Sequence, residues 1–470
     1  MKGNPIGFAQ PQRISLIIAM VLLVTVFAAC KVTQPYKRPA DLTTNNLYRN
    51  TTNATDTTNM ATLSWKELFK DPLLQSLIQE GIENNLDLKT AAMRIQQAEA
   101  NLRQSKLAFF PSLNLTATGE AIKPAATQSA NTQVFEMYGS SSWELDLWGK
   151  LKSSKRAALA SLMQSDAYKQ AVQTQLVADI ATNYYALMGY DAQLKITMAT
   201  LANRKKDAET MKILKESDVV TGAAVVQSQA NRFSVEVTIP DIEQNIQQTE
   251  NAISILLGRA PDAIKRDSLA NQTVFTDLKT GVPSQLLANR PDVREAEYQF
   301  RNSFELVNVA KTYFYPALSI TGQTGLFNNN LSDFFKGSSF FANVIGGIAQ
   351  PVFNNGLNKQ RLAVAQAQQE ASLIAFKQSL LNAGLEVSNA LFSYQAAARK
   401  ITIREQQIAF LQKSVDYTKQ LLKYTTATNY TDVLTSEQSL LAAQLSGISD
   451  KLQQLQAVVA LYRSLGGGWK

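Results

Sequence analysis

The sequence has no histidine and only one cysteine, Cys30, among its 470 residues. Without histidine the chain lacks the side chain that most often transfers protons near neutral pH and most often binds zinc, so zinc sites and serine–histidine catalysis are disfavoured. A single cysteine excludes a disulfide within the chain. The sequence also contains no nucleophile motif and no phosphate-binding loop. These absences predict no metal, no cofactor and no enzymatic activity.

Two pairs of acidic residues are the features that favour an enzyme. They are Glu144 with Asp146, and Asp292 with Glu295. The second pair lies near a predicted helix start, where the helix dipole stabilises negative charge. A structural role therefore explains it without catalysis.

The charge pattern does not indicate a nucleic-acid partner. The net charge of +8 comes from 46 basic and 38 acidic residues, and the basic residues are scattered rather than clustered. Scattered charge of this kind is typical of a solvated surface.

The only long apolar run stands at the N-terminus. Residues 14–29 follow a basic leader and are shorter than the ~20 residues of a membrane-spanning helix, so we predict a signal peptide at 1–29. Residues 27–30, Phe-Ala-Ala-Cys, resemble a bacterial lipoprotein box, which implies a lipid (palmitate) on Cys30. By the same resemblance, Lys31 in place of an aspartate favours retention in the outer membrane. The alternative is an ordinary signal peptide with a chance cysteine.

Residues 40–62 are rich in threonine and asparagine and poor in apolar side chains. Such a stretch is not expected to bury a core. We therefore interpret residues 30–64 as a lipidated tether or an extended wrap, with folded structure beginning near Leu63.

The rest of the chain is an internal duplication. Phe109-Phe110-Pro111 returns 205 positions later as Phe314-Tyr315-Pro316, and Leu257-Gly258 returns 208 positions later as Leu465-Gly466. A nearly constant offset at several landmarks indicates two copies of one unit with the same order of elements. We place the first copy at 65–261, a linker at 262–282 and the second copy at 283–470.

Each copy contains two segments in which apolar and polar residues alternate. In the clearest one the apolar set is Phe135, Met137, Trp143, Leu145 and Leu147, and the acidic members of the other set are Glu136, Glu144 and Asp146. A period of two places the sets on opposite faces of a strand, as in a barrel with lipid outside and water inside. An amphipathic sheet on a soluble core is the alternative. The fourth strand is expected at about 340–353.

Long helices are predicted between the strands. Residues 150–217 contain no proline and one glycine, which allows a helix of roughly 100 Å. In the second copy, apolar residues from Leu441 to Tyr462 step alternately by four and three, the pattern of a coiled-coil seam. Pro240 should break the return helix of the first copy. Each copy is thus predicted to contain a helix, two strands and a long helical hairpin.

Four strands per chain cannot close a membrane barrel, and lipid does not tolerate open sheet edges. The sequence therefore predicts an oligomer whose strands pool into one barrel that a helical tube continues.

Several motifs resemble those of the outer-membrane efflux protein family, in particular its NodT-type lipoprotein branch. The motifs are CKVTQPYKRP at 30–39, WELDLWG at 143–149, IPDIE at 239–243, LLGRAP at 256–261, PSQLL at 283–287 and RPDVREAE at 290–297. They are specific when taken together and span nearly the whole mature chain.

The resemblance implies a TolC-like homotrimer in the outer membrane, with four strands per chain in a twelve-stranded β-barrel and an α-helical barrel that crosses the periplasm. Such proteins are passive exit ducts of tripartite pumps. Their partners are a periplasmic adaptor and an inner-membrane transporter of the RND type, and their cargo is small molecules such as drugs or toxic compounds. A duct for type I protein secretion is the alternative. A periplasmic adaptor, also a helical lipoprotein, is disfavoured because adaptors lack the duplicated unit with alternating strands.

The resemblance also implies a gate, since rings of acids, tyrosines and arginines close the helix tips in this family. The tips are expected near 216–222 and 425–431, and the candidate gate residues are Tyr424, Tyr430, Asp432 and Glu437. The candidates that face the lumen are the acids in the polar set of the second strand, Glu136, Glu144 and Asp146. The alternatives are that the strand acids only solvate the wall and that the tip residues face solvent or neighbouring helices.

Overall fold

The structure is a computed structural model. It describes residues 32–40, 42, 47–48, 58–122, 132–424 and 430–469. The predicted signal peptide and the predicted lipidation site Cys30 lie outside these residues. The chain divides into two compact units, each with segments from both copies of the repeat. The first unit contains 1–40, 96–163 and 297–374, and the second contains 41–95, 164–296 and 375–470.

The first unit holds one antiparallel sheet of four strands. They are β1 (Ser112–Ile122), β2 (Thr132–Leu145), β3 (Ala317–Asn328) and β4 (Phe340–Ala349), paired in the order β1-β2-β3-β4. The predicted fourth strand was too long at its end, because Pro351 has no backbone N–H to continue the ladder. Among the described residues, β1 and β4 each pair on one side only.

The register confirms the alternation read from the sequence. Ser140 on β2 lies opposite Asn114 on β1 and Gln323 on β3, so polar residues share one face. Met137 lies opposite Ala117 and Leu326, so apolar residues share the other.

The described residues contain ten α-helices. They are α1 (Trp65–Leu68), α2 (Pro72–Asn84), α3 (Leu86–Leu107), α4 (Lys150–Glu216), α5 (Gly222–Glu236), α6 (Thr238–Leu256), α7 (Leu286–Asn289), α8 (Pro291–Thr312), α9 (Leu357–Tyr424) and α10 (Tyr430–Ser464). Helix α4 has 67 residues and α9 has 68, which confirms the long helices. None of the described helices is long and apolar enough to span a membrane.

The break predicted at Pro240 is also present. Helix α5 ends at Glu236 and α6 begins at Thr238, so Pro240 occupies the first turn of α6. A proline is tolerated there because the first-turn N–H groups have no partner within the helix. At the start of α5, the side chain of Thr221 accepts a hydrogen bond from Ala224 N, which fixes the turn after α4.

The core of the second unit follows the predicted apolar stripes. Ile180, Tyr184 and Leu187 of α4 are fully buried, and so are Val459 and Tyr462 on the coiled-coil seam of α10. Burying such side chains contributes roughly 1.5–3 kcal/mol each.

The segment expected to be a tether also takes part in this core. Tyr48, Met60 and Ala61 are buried, and the side chain of Asn59 caps a short 3₁₀ turn at Met60–Thr62. Our expectation that 40–62 buries no core was therefore wrong for these positions. A few apolar side chains in a polar stretch suffice when the adjoining helices offer a surface.

Arg290 joins three parts of the second unit. Its guanidinium donates to Asp292 (Nε–Oδ1 3.0 Å, Nη2–Oδ2 2.5 Å), to Glu386 Oε2 on α9 (2.8 Å) and to the carbonyl of Ser464 at the end of α10 (2.8 Å). The pKa of Arg290 is raised because its hydrogen bonds and ion pairs with Asp292 and Glu386 outweigh the opposing effect of burial. We call Arg290 and these partners the Arg290 joint.

Candidate channel site

Two candidate lumen acids lie on the polar face of β2. Glu136 is opposite Thr118 on β1 and Phe327 on β3, and Glu144 is opposite Ser319. Glu144 also forms an ion pair with Lys150 (3.0 Å). The register thus brings both acids to the face that carries the hydroxyl and amide side chains.

The third candidate, Asp146, lies one residue beyond the end of β2. Its two carboxylate oxygens accept hydrogen bonds from Leu151 N and Lys152 N, each at 2.9 Å. A carboxylate in this position caps α4 and opposes the positive end of the helix dipole. We therefore correct the expectation that Asp146 belongs to the strand.

The other face of the sheet is apolar and exposed. Leu113 is 82% exposed and Val344 is 79% exposed, and Leu115, Phe340 and Ile348 are exposed as well. A sheet on a soluble core would bury these side chains at about 25 cal/mol per Å². Contiguous exposed apolar surface of this kind marks an interaction with lipid or protein.

At the tip of the hairpins, Glu437 of α10 lies in a buried ion network. Its carboxylate is 2.6 Å from Arg204 Nη1 on α4 and 2.5 Å from Lys419 Nζ on α9. Arg204 is 2% exposed and Glu437 is 8% exposed. A second acid, Asp207 of α4, lies 3.9 Å from Lys419. We call Arg204, Asp207, Lys419 and Glu437 the tip cluster.

The tip cluster balances two positive against two negative charges but does not satisfy all its polar atoms. Within the described structure, Arg204 Nε and Asp207 Oδ2 are buried without a hydrogen-bond partner, and Arg204 Nη1 and Glu437 Oε2 approach without an aligned hydrogen bond. Burial, followed by the negative charge of Glu437, raises the pKa of the Asp207 carboxyl. The pKa of Lys419 is raised because its pairing with Glu437 and Asp207 outweighs burial.

Tyr430 extends the tip cluster to a fourth helix. Its hydroxyl donates a buried hydrogen bond of 2.9 Å to Ser228 Oγ on α5, and burial raises its pKa. All four hairpin helices are therefore linked near the tips.

The remaining two gate candidates are exposed. Tyr424 is 73% exposed at the end of α9, where Lys423 lies over its ring, and Asp432 is exposed on the first turn of α10. Residues 425–429 lie outside the described chain. The structure thus buries Tyr430 and Glu437 and places Tyr424 and Asp432 on the surface.

Sequence reasoning missed Arg204, Asp207, Lys419 and Ser228. A signal for Arg204 was available, because it lies between Leu201 and Ala208 in a stripe of buried residues spaced by three and four. A charge within such a stripe is rarely buried without a partner. For metals, the described residues contain no group of three or more His, Cys, Asp or Glu side chains that could hold an ion.

The matches to known proteins cover both copies of the duplicated unit. The family model "Outer membrane efflux protein" matches residues 77–259 and 282–467. The cation efflux system protein CusC of Escherichia coli O6:H1 is 30% identical over 455 residues, which are 94% of this chain and 96% of that protein. The toluene efflux pump outer membrane protein TtgC of Pseudomonas putida is 28% identical over 86% of this chain and 85% of its own.

Solved structures give the same result. The outer-membrane channel OprN is 25% identical with a TM-score of 0.84, over 94% of this chain and all of that one. A crystal structure of CusC is 28% identical with a TM-score of 0.82, over 93% and 100% of the two chains. The family predicted from the sequence motifs is therefore confirmed. The chain belongs to the outer membrane efflux protein family, whose members are outer-membrane channels and not enzymes.

Proposed function

We propose that three copies of this chain form one twelve-stranded barrel in the outer membrane, continued by a helical tunnel in the periplasm. The observation that carries the proposal is the sheet, whose apolar face is exposed and whose edge strands β1 and β4 each have one unpaired side in the part of the chain that the structure describes. Pairing β4 of one copy with β1 of the next would satisfy both edges. Closure also places the exposed apolar face toward lipid, as membrane barrels require.

The helices of the second unit support the same ring. Ion pairs join α5 to α4 (Lys205–Glu236), α4 to α10 (Arg204–Glu437) and α10 to α9 (Arg404–Asp450). This row leaves α5 and α9 at its two ends. Exposed apolar side chains line α9, namely Leu381, Leu385, Phe392, Ile403, Phe410, Tyr417 and Tyr424, and α5 carries Val226 and Phe233.

The spacings along α9 are four, seven and, between Phe392 and Ile403, eleven (seven plus four), which are those of a coiled-coil stripe. Docking the α9 stripe of one copy on α5 of the next gives a head-to-tail contact, which closes into a ring when the rotation permits.

The duct would act passively between an inner-membrane RND-type transporter, a periplasmic adaptor and the exterior. We propose small molecules such as drugs or toxic compounds as cargo. The two relatives support small cargo in general but not one class, since CusC is named for cations and TtgC for toluene. Specificity is therefore proposed to lie in the transporter.

We further propose that the tip cluster and its neighbours hold the periplasmic end closed. The gate residues would be Tyr430 and Glu437 within the packed hairpins, with Tyr424 and Asp432 lining the narrow end. Three-fold symmetry would turn the exposed Asp432 into a ring that favours cations. In the barrel, Glu136 and Glu144 would line the water-filled lumen.

We also propose that Cys30 carries a lipid. The described residues that follow it are held on α8, which would fix the chain close to the lipid. Arg38 makes a bidentate ion pair with Glu297 on α8 (2.6 and 2.7 Å), and Gln34 exchanges two hydrogen bonds with Asn308 (2.9 and 3.1 Å). A segment held this way gives the lipid a defined starting point.

The test is the mass of the purified mature protein in detergent together with its single-channel current in a planar bilayer. We expect a trimer with small, cation-selective steps. A monomer that conducts at no voltage would overturn both the barrel and the duct.

A further inference from the structure

All four connections between strands and helices lie at one end of the sheet. The register pairs Ser112 at the start of β1 with Ser142 near the end of β2, and Ala317 at the start of β3 with Ala349 at the end of β4. Helices α3 and α8 lead into β1 and β3, while α4 and α9 follow β2 and β4. We call this end of the first unit the junction.

Each connection at the junction carries aromatic residues next to its strand. They are Phe109 and Phe110 before β1, Trp148 after β2, Phe314 and Tyr315 before β3, and Phe353 after β4. Phe110 and Phe353 are strongly exposed, and so is Val352. This explains the most conspicuous repeat in the sequence, Phe-Phe-Pro and Phe-Tyr-Pro, as two copies of one boundary. Exposed aromatic residues at the ends of an apolar band are typical of a membrane–water interface.

Basic residues follow within the adjoining helix turns. Across the four connections the basic side chains are Lys106, Lys150, Lys152, Lys155, Arg156, Lys311, Lys359 and Arg361, and the acidic ones are Glu144, Asp146 and Glu305. The acids are already occupied, since Glu144 pairs with Lys150, Glu305 pairs with Arg156, and Asp146 caps α4. Six cations per chain therefore remain without a carboxylate partner among the described junction residues.

The duplication repeats these cations. Lys106 and Lys311 each stand five residues before the proline of the aromatic motif, and Lys152 and Lys359 are each the third residue of the helix that follows a strand. Two copies of the unit thus place the same charge at the same height of the junction.

Cations and aromatic rings are in contact at the junction. Lys155 Nζ lies 5.5 Å from the ring centre of Phe109, and the Arg361 guanidinium lies 4.6 Å from that of Tyr313. Such pairs keep the charged head at a fixed depth beside the apolar band while it stays accessible to an anion.

The described loop at the opposite end of the sheet differs. Between β3 and β4 it carries one acid and one base, Asp333 and Lys336, which pair with each other. The excess of positive charge at the junction is thus absent from the described loop between β3 and β4.

We propose that the junction binds the headgroups of anionic phospholipids in the periplasmic leaflet of the outer membrane. This rests on the proposed function, which places the sheet in the membrane and the helices in the periplasm. The aromatic residues would lie at the level of the glycerol backbone, and the cations would contact the phosphates one to two helix turns below. Charge complementarity and continuity with the exposed apolar face favour lipid over a free anion.

The test counts lipids bound to the full-length protein by native mass spectrometry in detergent. The protein is titrated with phosphatidylglycerol or with phosphatidylcholine, and the junction variant replaces Lys106, Lys152, Lys311 and Lys359 by glutamine. We expect the unchanged protein to prefer phosphatidylglycerol and the variant to bind it about tenfold more weakly, because each removed cation near a charged headgroup weakens the attraction.

The matched control replaces Lys206, Lys212, Lys413 and Lys423, four exposed lysines of the hairpin helices, by glutamine. It makes the same change in net charge and should leave lipid binding unchanged. Equal loss in both variants, or no preference between the two lipids, would overturn the proposal. Displacement of phosphatidylglycerol by millimolar inorganic phosphate would assign the site to free phosphate and overturn it as well.

Mass and conductance of the same samples separate this inference from the proposed function. A conducting trimer without lipid preference refutes the junction alone. A non-conducting monomer refutes the duct, whatever lipid it binds.

Discussion

The Arg290 joint and the tip cluster are both buried ion networks between helices of the second unit, but they are built differently. Arg290 makes four aligned hydrogen bonds, one of them to the Ser464 carbonyl at the end of α10. In the tip cluster, Arg204 Nε and Asp207 Oδ2 are buried without hydrogen-bond partners. Buried charges cost several kcal/mol to desolvate, and only good geometry repays that cost.

The difference matches what the two places must do in a duct. A satisfied network fixes helix ends in one arrangement and strongly resists change. A network with leftover donors and acceptors has alternative arrangements of similar free energy, including one in which the groups regain water. We therefore expect the helix ends around Arg290 to keep one arrangement, and the packed helices at the tip to separate at a smaller cost in free energy.

The largest effect is expected when the arginine at the centre of the Arg290 joint is removed. Arg290→Ala removes this donor from Asp292 and the Ser464 carbonyl and leaves Glu386 with Arg463 alone. We expect a loss of about 3 kcal/mol, the lower end of the range for broken buried pairs, because both acids are partly exposed. Denaturant unfolding followed by helical circular dichroism in detergent measures it.

Arg463→Ala is the control for that variant. Arg463 also reaches Glu386, at 3.4 Å, but its side chain is 32% exposed. An exposed pair of this kind contributes about 0.5 kcal/mol. Equal losses in the two variants would show that Arg290 is not a special joint.

The second test acts on the tip. Glu437→Gln removes the acid between Arg204 and Lys419, so the buried Arg204 and the half-buried Lys419 keep only Asp207 as a nearby acid. We expect an open probability about tenfold higher, equivalent to ~1.4 kcal/mol, with global unfolding nearly unchanged. Single-channel recording gives the first quantity and denaturant unfolding the second.

Two further variants test whether the change in open probability is specific to the buried acid of the tip cluster. Asp432→Ala, on the exposed side of α10, should raise the current less than Glu437→Gln does. Glu209→Gln, an exposed acid of α4, should have no effect. Unchanged currents in both Glu437→Gln and Asp432→Ala would remove these residues from the gate.

The fold was largely predictable because its signals are local. Period two in β2 and the lack of proline in α4 each act within one element, and Pro240 breaks its helix at the expected place. The prediction failed for Asp146, because its role depends on the residue at which β2 ends. Asp146 follows the last residue of β2 and caps α4.

The tip cluster could not be assembled from the sequence. Glu437 lies four residues, about one helical turn, before Leu441, which places it on the side of α10 that carries the apolar seam. Its partners Arg204 and Lys419 lie on other helices, and only the packing shows which helices are adjacent. Sequence spacing can therefore identify a buried charge but not the charge that balances it.

The smallest predicted effect concerns Asp207, whose pKa is raised by burial and by Glu437. Because the packed tip then binds a proton more tightly than the opened tip, closure gains stability as pH falls from neutral through the raised pKa, and the gain stops near the ordinary value of 3.8. The neighbouring Lys419 stays charged in that window, because its pairing with Glu437 and Asp207 raises its pKa further above neutral. Mild acidification should therefore lower the open probability.

Asp207→Asn mimics the protonated acid at every pH. We expect it to close the tip at neutral pH by about fivefold, equivalent to ~1 kcal/mol for one buried polar group. It should also flatten the dependence of open probability on pH below neutral, where the raised pKa of Asp207 makes the tip respond to acid. An unaltered pH profile in Asp207→Asn would mean that Asp207 does not carry the proton, and its raised pKa would then not account for the response of the tip to acid.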